Sequence, residues 1–319
     1  MKKKFRDFIS NLSWKIRIVG RLNRIDQTVA RESRQTRLLL GRILAHQVRG
    51  HGLYENLRDA EFQVFSQFGD DGILQYLIHH TNPTVKKFIE FGVEDYSEAN
   101  TRFLLMNDNW SGLIMDGNAQ GLSALRKDEI YWRYDLTAVG AFITCENANS
   151  LFLENGVSGE IGLLSIDIDG NDYWIWKAIN VVNPVLVVIE YNSVFGAEHA
   201  VTIPYDPTFN RTKAHYSNLY WGASLKALCQ LAESKGYSFV GCNSAGNNAH
   251  FVRKDRVGDI PVKSAADGYV ESKFRESRDE AGHLNFLRGA ERLREIKDLA
   301  VFDLDVGKQL LIKDVWDLP

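Results

Sequence analysis

The residues best placed to do chemistry lie in positions 162–192, GLLSIDIDGNDYWIWKAINVVNPVLVVIEYN. Asp167 and Asp169 end one apolar run there, and Glu190 and Asn192 end the next. If the two runs are neighbouring strands, about 4.8 Å apart, three carboxylates and an amide share a small volume. Such a cluster costs Coulomb energy unless a cation, a proton or a ligand donor is shared among them. The expected roles are catalytic for Asp169 and Glu190. Asp169, Glu190 and Asn192 are also the hard oxygen ligands that Mg²⁺ or Mn²⁺ prefers. DIDGND looks like the start of an EF-hand loop, but its glycine is fourth rather than sixth and Ala178 stands where the bidentate glutamate belongs.

These residues need a scaffold, and the alternation of the chain supplies one. Strand (163–169), helix (172–180) and strand (185–189) form a unit whose near-continuous apolar runs suit a parallel sheet covered on both faces. Upstream, strands are expected at 87–91, at 112–115 ending in Asp116, and at 131–134 ending in Asp135, with helices at 101–107 and 147–153. Downstream, helix 223–234 precedes two strands, 237–240 and 249–253, that close the sheet as a hairpin. Ligands of open α/β sheets bind beyond the carboxyl ends of the strands. The polar residues gather at that edge.

Glu90 and Gly92 end the first strand, and a glycine there lets the backbone approach a ligand. The loop lacks a G-x-G-x-x-G nest, since positions 94 and 97 are Glu94 and Ser97, which disfavours a pyrophosphate. Asp116 can take both hydroxyls of a ribose, and Asp135 an adenine amino group. An adenosine with a positive centre and no phosphates fits, a description that S-adenosylmethionine meets. Asn100 and Thr101 at the end of the first loop, Gly117 after Asp116, and Asp167 complete the expected cofactor contacts. For a general base, His215 in the long loop 193–222 comes first and His199 second, because histidine titrates near neutrality. Trp174 and Trp176 read as helix-to-sheet packing.

Together FIEFGVEDYSEANTRFLL, GLIMDGN, LLSIDIDGNDYWIWKAI, VVIEYN and the segment 220–253 resemble a class I S-adenosylmethionine-dependent methyltransferase, close to the FkbM-like bacterial branch. The resemblance covers about residues 61–253. It implies a Rossmann-like α/β fold, a seven-stranded, mostly parallel sheet with a terminal antiparallel hairpin, and methyl transfer to an oxygen of a saccharide, surface glycan or related intermediate. Glu90 and Gly92 match its first motif and Asp116 its ribose-binding acid; Glu94 departs where a second glycine is usual. The competing readings are a nicotinamide-dependent oxidoreductase, which the missing glycine fingerprint counts against, and a non-catalytic nucleotide-fold module.

The chain divides into a basic helical arm (1–50), the methyltransferase domain (51–254) and a C-terminal extension (255–319), of which the first and last lie outside the match. The arm carries 13 Lys and Arg against three acids, a balance of +10 that leaves −13 for the rest of a chain whose net charge is −3. Phe5, Phe8, Ile9, Leu12, Ile16 and Val19 recur at helical steps. Ile18, Ile25 and Leu39, and Leu22, Val29, Thr36 and Ile43, keep heptad spacing, with Glu32 and Thr36 as polar interruptions. The expected partners are a second copy of the chain through the later heptads and an anionic surface such as the inner membrane for the first 20 or so residues; no nucleic acid is expected. No run reaches the ~18 apolar residues of a membrane span and no export signal is evident. Three scattered cysteines fit neither a disulfide framework nor a zinc site, so the expected setting is cytoplasmic.

Overall fold

The computed structural model describes residues 2–318; the side chains of residues 2–18, 23 and 27 lie outside the described ones, and with them the early apolar stripe from Phe5 to Ile16. Helix α1 (Lys2–Gly50) is followed by α2 (Asp70–Thr81) and then by the alternating part. That part runs β1 (Lys87–Phe91), α3 (Arg102–Asp108), β2 (Ser111–Asp116), α4 (Ala119–Leu125), α5 (Glu129–Arg133), β3 (Leu136–Gly140), α6 (Ala148–Glu154), β4 (Gly159–Ile166), α7 (Asp172–Ala178) and β5 (Val182–Glu190). A short β6 (Val201–Thr202) and helices α8 (Arg211–Ala214) and α9 (Leu225–Ser234) lead to the hairpin β7 (Tyr237–Cys242) and β8 (Asn248–Arg253). Near the C-terminus β9 (Ala300–Asp303) and β10 (Lys308–Leu311) pair with each other.

Seven strands make one sheet in the order β3-β2-β1-β4-β5-β8-β7, and β8 alone runs against the others. This is the expected Rossmann-like sheet with its terminal antiparallel hairpin. Continuous apolar runs at β4 and β5 are buried on both faces, as a parallel sheet sandwiched by helices requires. One core face joins α1, α2, α3 and the sheet around Phe88, Ile114 and Val188. On the other face, Trp176 and Phe152 pack with Ile89, Leu164 and Phe251, which bears out the packing role of Trp176. Trp174 is half-buried and also donates its indole N–H to the Ile203 carbonyl.

One strand slips. Residues 131–134 are not a strand: Asp128 caps α5 by accepting the Ile130 N–H at 2.9 Å, and the chain stays helical to Arg133. The third strand therefore begins at Leu136, and Asp135 sits at its amino end, on the opposite edge of the sheet from the other acids. Residues 255–318 are bound to the alternating part. Strand β9 pairs with β6 as well as β10, the Tyr191 hydroxyl donates to the Val270 carbonyl, and Ile296, Val301 and Ile312 share a core with Phe195 and Leu219.

Candidate active site

The sheet order reverses between β1 and β4, and the chain leaves those two strands in opposite directions at their carboxyl ends. This switch point opens the cavity of about 890 Å³ that carries most of the expected residues. Gly92 turns there with φ +69°, and a Cβ at this position would overlap the Asp167 carbonyl oxygen. No side chain can replace that hydrogen without moving the β4 terminus.

Beside Gly92, the Glu90 carboxylate is buried and accepts the Asn100 N–H at 2.8 Å, the Thr101 N–H at 3.2 Å and the Thr101 hydroxyl at 2.5 Å. Burial nevertheless pushes its pKa up to about 7, the hydrogen bonds offsetting only part of the desolvation. Asp116 closes β2. Its two oxygens accept the Glu94 N–H at 2.7 Å and the Asn118 N–H at 2.6 Å, tying the loop after β1 to the loop after β2. Each oxygen keeps a lone pair for a ligand hydroxyl. Glu90, Gly92, Asn100, Asp116 and Gly117 all line this half of the cavity. Thr101 does not; it is fully buried and serves Glu90.

The other half is the acidic cluster. Asp167, Asp169 and Glu190 bring one oxygen each within 4.8 Å of one another, because β4 and β5 are parallel neighbours in a register that pairs Ile166 with Ile189. Asp172 builds the loop between them, accepting the Ile168 and Gly170 N–H groups at 2.9 Å each, and Asp169 stands in the left-handed region at φ +56°. Burial raises both Asp167 and Glu190 well above the usual carboxylate range; the charges of Asp169 and Asp172 add to it at both, and that of Asp167 adds to it at Glu190. Two carboxyl groups so placed titrate as a pair. Among the described residues Glu190, 8 % exposed, has no hydrogen-bond partner for its Oε2, and the Asn171 Oδ1, also on the cavity wall, has none either.

Three expected residues fall outside this cavity, besides Thr101. Asp135 lies at the far edge, as described above. Asn192 does not join the carboxylates: its amide donates to the Leu219 and Trp221 carbonyls at 2.9 Å and accepts the Val194 N–H at 3.0 Å, so the side chain is spent on holding the long loop. Asp167 takes its place in the oxygen cluster. His215 bonds Ser217 Oγ through Nδ1 at 2.7 Å, packs on Tyr216 and is not on the cavity wall; burial lowers its pKa. The second histidine, His199, packs against Trp316.

Two charged residues of the cluster were not singled out by spacing or motif. Arg211, at the first turn of α8, places Nη1 2.6 Å from Asp169 and Nη2 3.8 Å from Glu276. Its Nε donates to the Asn218 carbonyl at 3.0 Å and its guanidinium lies 4.8 Å from the Trp221 ring centroid. Glu276 comes from the C-terminal segment. Both line the cavity, with Asn247 from the β7–β8 turn, Asn248 at the start of β8 and Phe142 after β3. The true end of β3 would have pointed to Phe142; nothing local in the sequence marks Arg211 or Glu276. A side cavity of about 220 Å³ adjoins the cluster, sharing Gln67, Glu190, Arg211, Asn247 and Glu276 and adding Asn192 and Trp221.

No family model of known proteins matches the chain, and no curated protein matches it. Solved structures do. A putative O-methyltransferase from Klebsiella pneumoniae is 13% identical, covering 65% of this chain and 87% of that one at a TM-score of 0.37. An O-methyltransferase from Bacillus cereus in complex with SAH is 11% identical, covering 69% and 89% at a TM-score of 0.36. With an S-adenosylmethionine-dependent methyltransferase from Clostridium acetobutylicum the identity is 12% and the TM-score 0.29; 40% of this chain aligns, over 53% of the other's length. Likenesses of this size carry no argument about chemistry. The fold rests on the strand order itself.

Proposed function

We propose that this protein is an S-adenosylmethionine-dependent O-methyltransferase whose acceptor is a hydroxyl of a saccharide or glycan intermediate, in the FkbM-like manner that IDIDGND and VIEYN suggest. The observation that carries the reading is the pairing of Asp116 with the Gly92 turn at the switch point of the sheet, without a glycine nest for phosphates. It offers a ribose acceptor, a close backbone approach and an acidic wall for a sulfonium. The polar side cavity beyond Glu190 suits a hydroxyl-rich acceptor, with the amides of Gln67 and Asn247 on its wall.

In this reading the acceptor oxygen forms its bond to the methyl carbon as the carbon–sulfur bond breaks. The hydroxyl proton passes to the Asp167 and Glu190 pair, whose raised affinity for protons suits a base at neutral pH. Alignment of oxygen and sulfonium supplies much of the rate. The donor set of Asp167, Asp169 and Glu190 fits a Mg²⁺ or Mn²⁺ ion, and the unpartnered Glu190 Oε2 is an oxygen such an ion would use. A bound ion would lower the pKa of the acceptor hydroxyl. Arg211 is the competing cation, already 2.6 Å from Asp169. Turnover lost in chelator and restored by Mg²⁺ or Mn²⁺ assigns the role to the ion; full turnover in chelator assigns it to Arg211.

Calorimetry with S-adenosylhomocysteine and NAD tests the cofactor. S-adenosylhomocysteine is expected to bind the wild type, and Asp116→Ala to weaken it by about 1.5–3 kcal/mol, the range for hydrogen bonds to a charged group. Binding of NAD instead, or an unchanged affinity in a folded Asp116→Ala protein, overturns the assignment.

A further inference from the structure

Helix α1 is 49 residues long, about 74 Å at 1.5 Å per residue, and among the described residues its docking on the body is confined to its C-terminal end. Gly41, Ala45 and Val48 are buried there. Arg42 donates to the Asn107 side chain at 3.2 Å, and Arg49 pairs with Asp108 at 2.5 Å. A helix of mostly polar composition, with apolar residues left in water, gains little stability by itself, because helices in proteins draw most of theirs from packing an apolar face.

That apolar face is present and unpartnered. Leu22, Ile25, Val29, Leu39 and Ile43 are each 58–61 % exposed. With Thr36 they fall on the a and d positions of a heptad: Leu22, Val29, Thr36 and Ile43 at a, Ile25, Glu32 and Leu39 at d. At roughly 100° per residue, Leu39 and Ile43 lie about 160° and 200° round the helix from Gly41, which faces the body. The seam therefore points away from the body, and a second helix can lie along it without meeting the rest of the chain. The flanks match. Arg24, Arg31, Arg34 and Arg37 stay off the seam at b, c and f. Arg21 at g falls opposite Asp26 of the partner subunit at e when two copies run parallel; an antiparallel pair would set g against g and lose that attraction.

We propose that residues 22–43 of α1 pair with the same segment of a second copy of this chain as a parallel two-stranded coiled coil. The arm is then a dimerisation element that leaves the carboxyl edge of the sheet open, independent of what the cavity binds. Glu32 at a d layer sets two like charges face to face, answered in part by Arg31 of the same helix at 3.2 Å. It weakens the pair and fixes its register, as single polar core residues do in coiled coils.

Sedimentation of the full chain at micromolar concentration should give twice the 36.3 kDa chain mass. Ile25→Asp with Leu39→Asp should give the monomer at an unchanged melting temperature of the body, since both side chains are exposed. Glu32→Leu should lower the concentration for half-dissociation by about tenfold or more. Thr36→Cys should form an interchain disulfide under mild oxidation, because a faces a only in a parallel pair. A monomeric wild type, a trimer, a dimer that survives the double aspartate variant, or no cross-link from Thr36→Cys overturns the proposal.

Discussion

Two sets of carboxylates, all buried except the half-buried Asp167, line or support the same edge of the sheet, and they are provisioned differently. Asp71, Glu90 and Asp172 are surrounded by donors. One oxygen of Asp71 accepts the N–H groups of Val64, Phe65 and Ser66 at 2.7–2.8 Å and the Ser66 hydroxyl at 2.9 Å. Glu90 and Asp172 likewise accept backbone N–H groups. Their pKa values rise only to about 6, 7 and 6. Asp167 and Glu190, on the cavity wall, have almost no donors but each other, and burial raises both well above the carboxylate range. The first set organises loops. The second leaves lone pairs free where a ligand would arrive, which is the pattern expected of a site and costly for a fold.

The comparison breaks most visibly at Asp71. Asp71→Ala strips three buried N–H groups of their acceptor, and chemical denaturation should record a loss on the order of 4 kcal/mol. Turnover per folded molecule should barely change, because Asp71 is not among the residues that line the cavity. A small loss of stability would show that these bonds do not organise the loop.

Glu190→Gln sharpens the contrast from the other side. Turnover should fall by about 100-fold or more, the usual cost of losing a general base, while the melting temperature holds or rises, since a repelled charge is removed. The pH dependence follows from the same shifts. Below about pH 4 these carboxyls are protonated in folded and unfolded chains alike. Above it the unfolded chain loses protons that the folded chain still holds, so stability falls as pH rises up to the value near 7 for Glu90, and the raised pKa values of the pair add to the fall. The wild type should melt lower at about pH 8 than at about pH 5.5, by on the order of 1 kcal/mol per pH unit for each such group. In Glu190→Gln that difference should shrink. Equal slopes in the two proteins would mean the cluster is not the source.

The smallest effect is expected at Arg211. Its contact with Asp169 is short, but the Asp169 side chain is 57% exposed, and ion pairs so open to solvent contribute about 0–1 kcal/mol. Arg211→Gln should therefore change stability by less than about 1 kcal/mol in urea titration. It should alter the metal requirement or KM for acceptor instead. A large destabilisation would make Arg211 a structural strut.

The alternation of apolar runs with helices, the parallel order they force and the gathering of Glu90, Gly92, Asp116, Asp167 and Glu190 at the carboxyl edge were all readable from the chain, because strand burial and strand direction are encoded in local pattern. Gly92 was legible for the same reason: a glycine at a strand end reports a backbone that must pass close to something. Asp135 was not, since the cap at Asp128 turned an apparent strand into a helix and shifted the next strand past it. Asn192 has the type and place of a ligand, and only the fold spends its amide on the Leu219 and Trp221 carbonyls. Arg211 reaches Asp169 from 42 residues away, and Glu276 meets it from the far side of the C-terminal segment. Hydrogen-bond partners and side-chain directions across such separations depend on how the long loop and the C-terminal segment pack over the sheet, and no local periodicity carries that information.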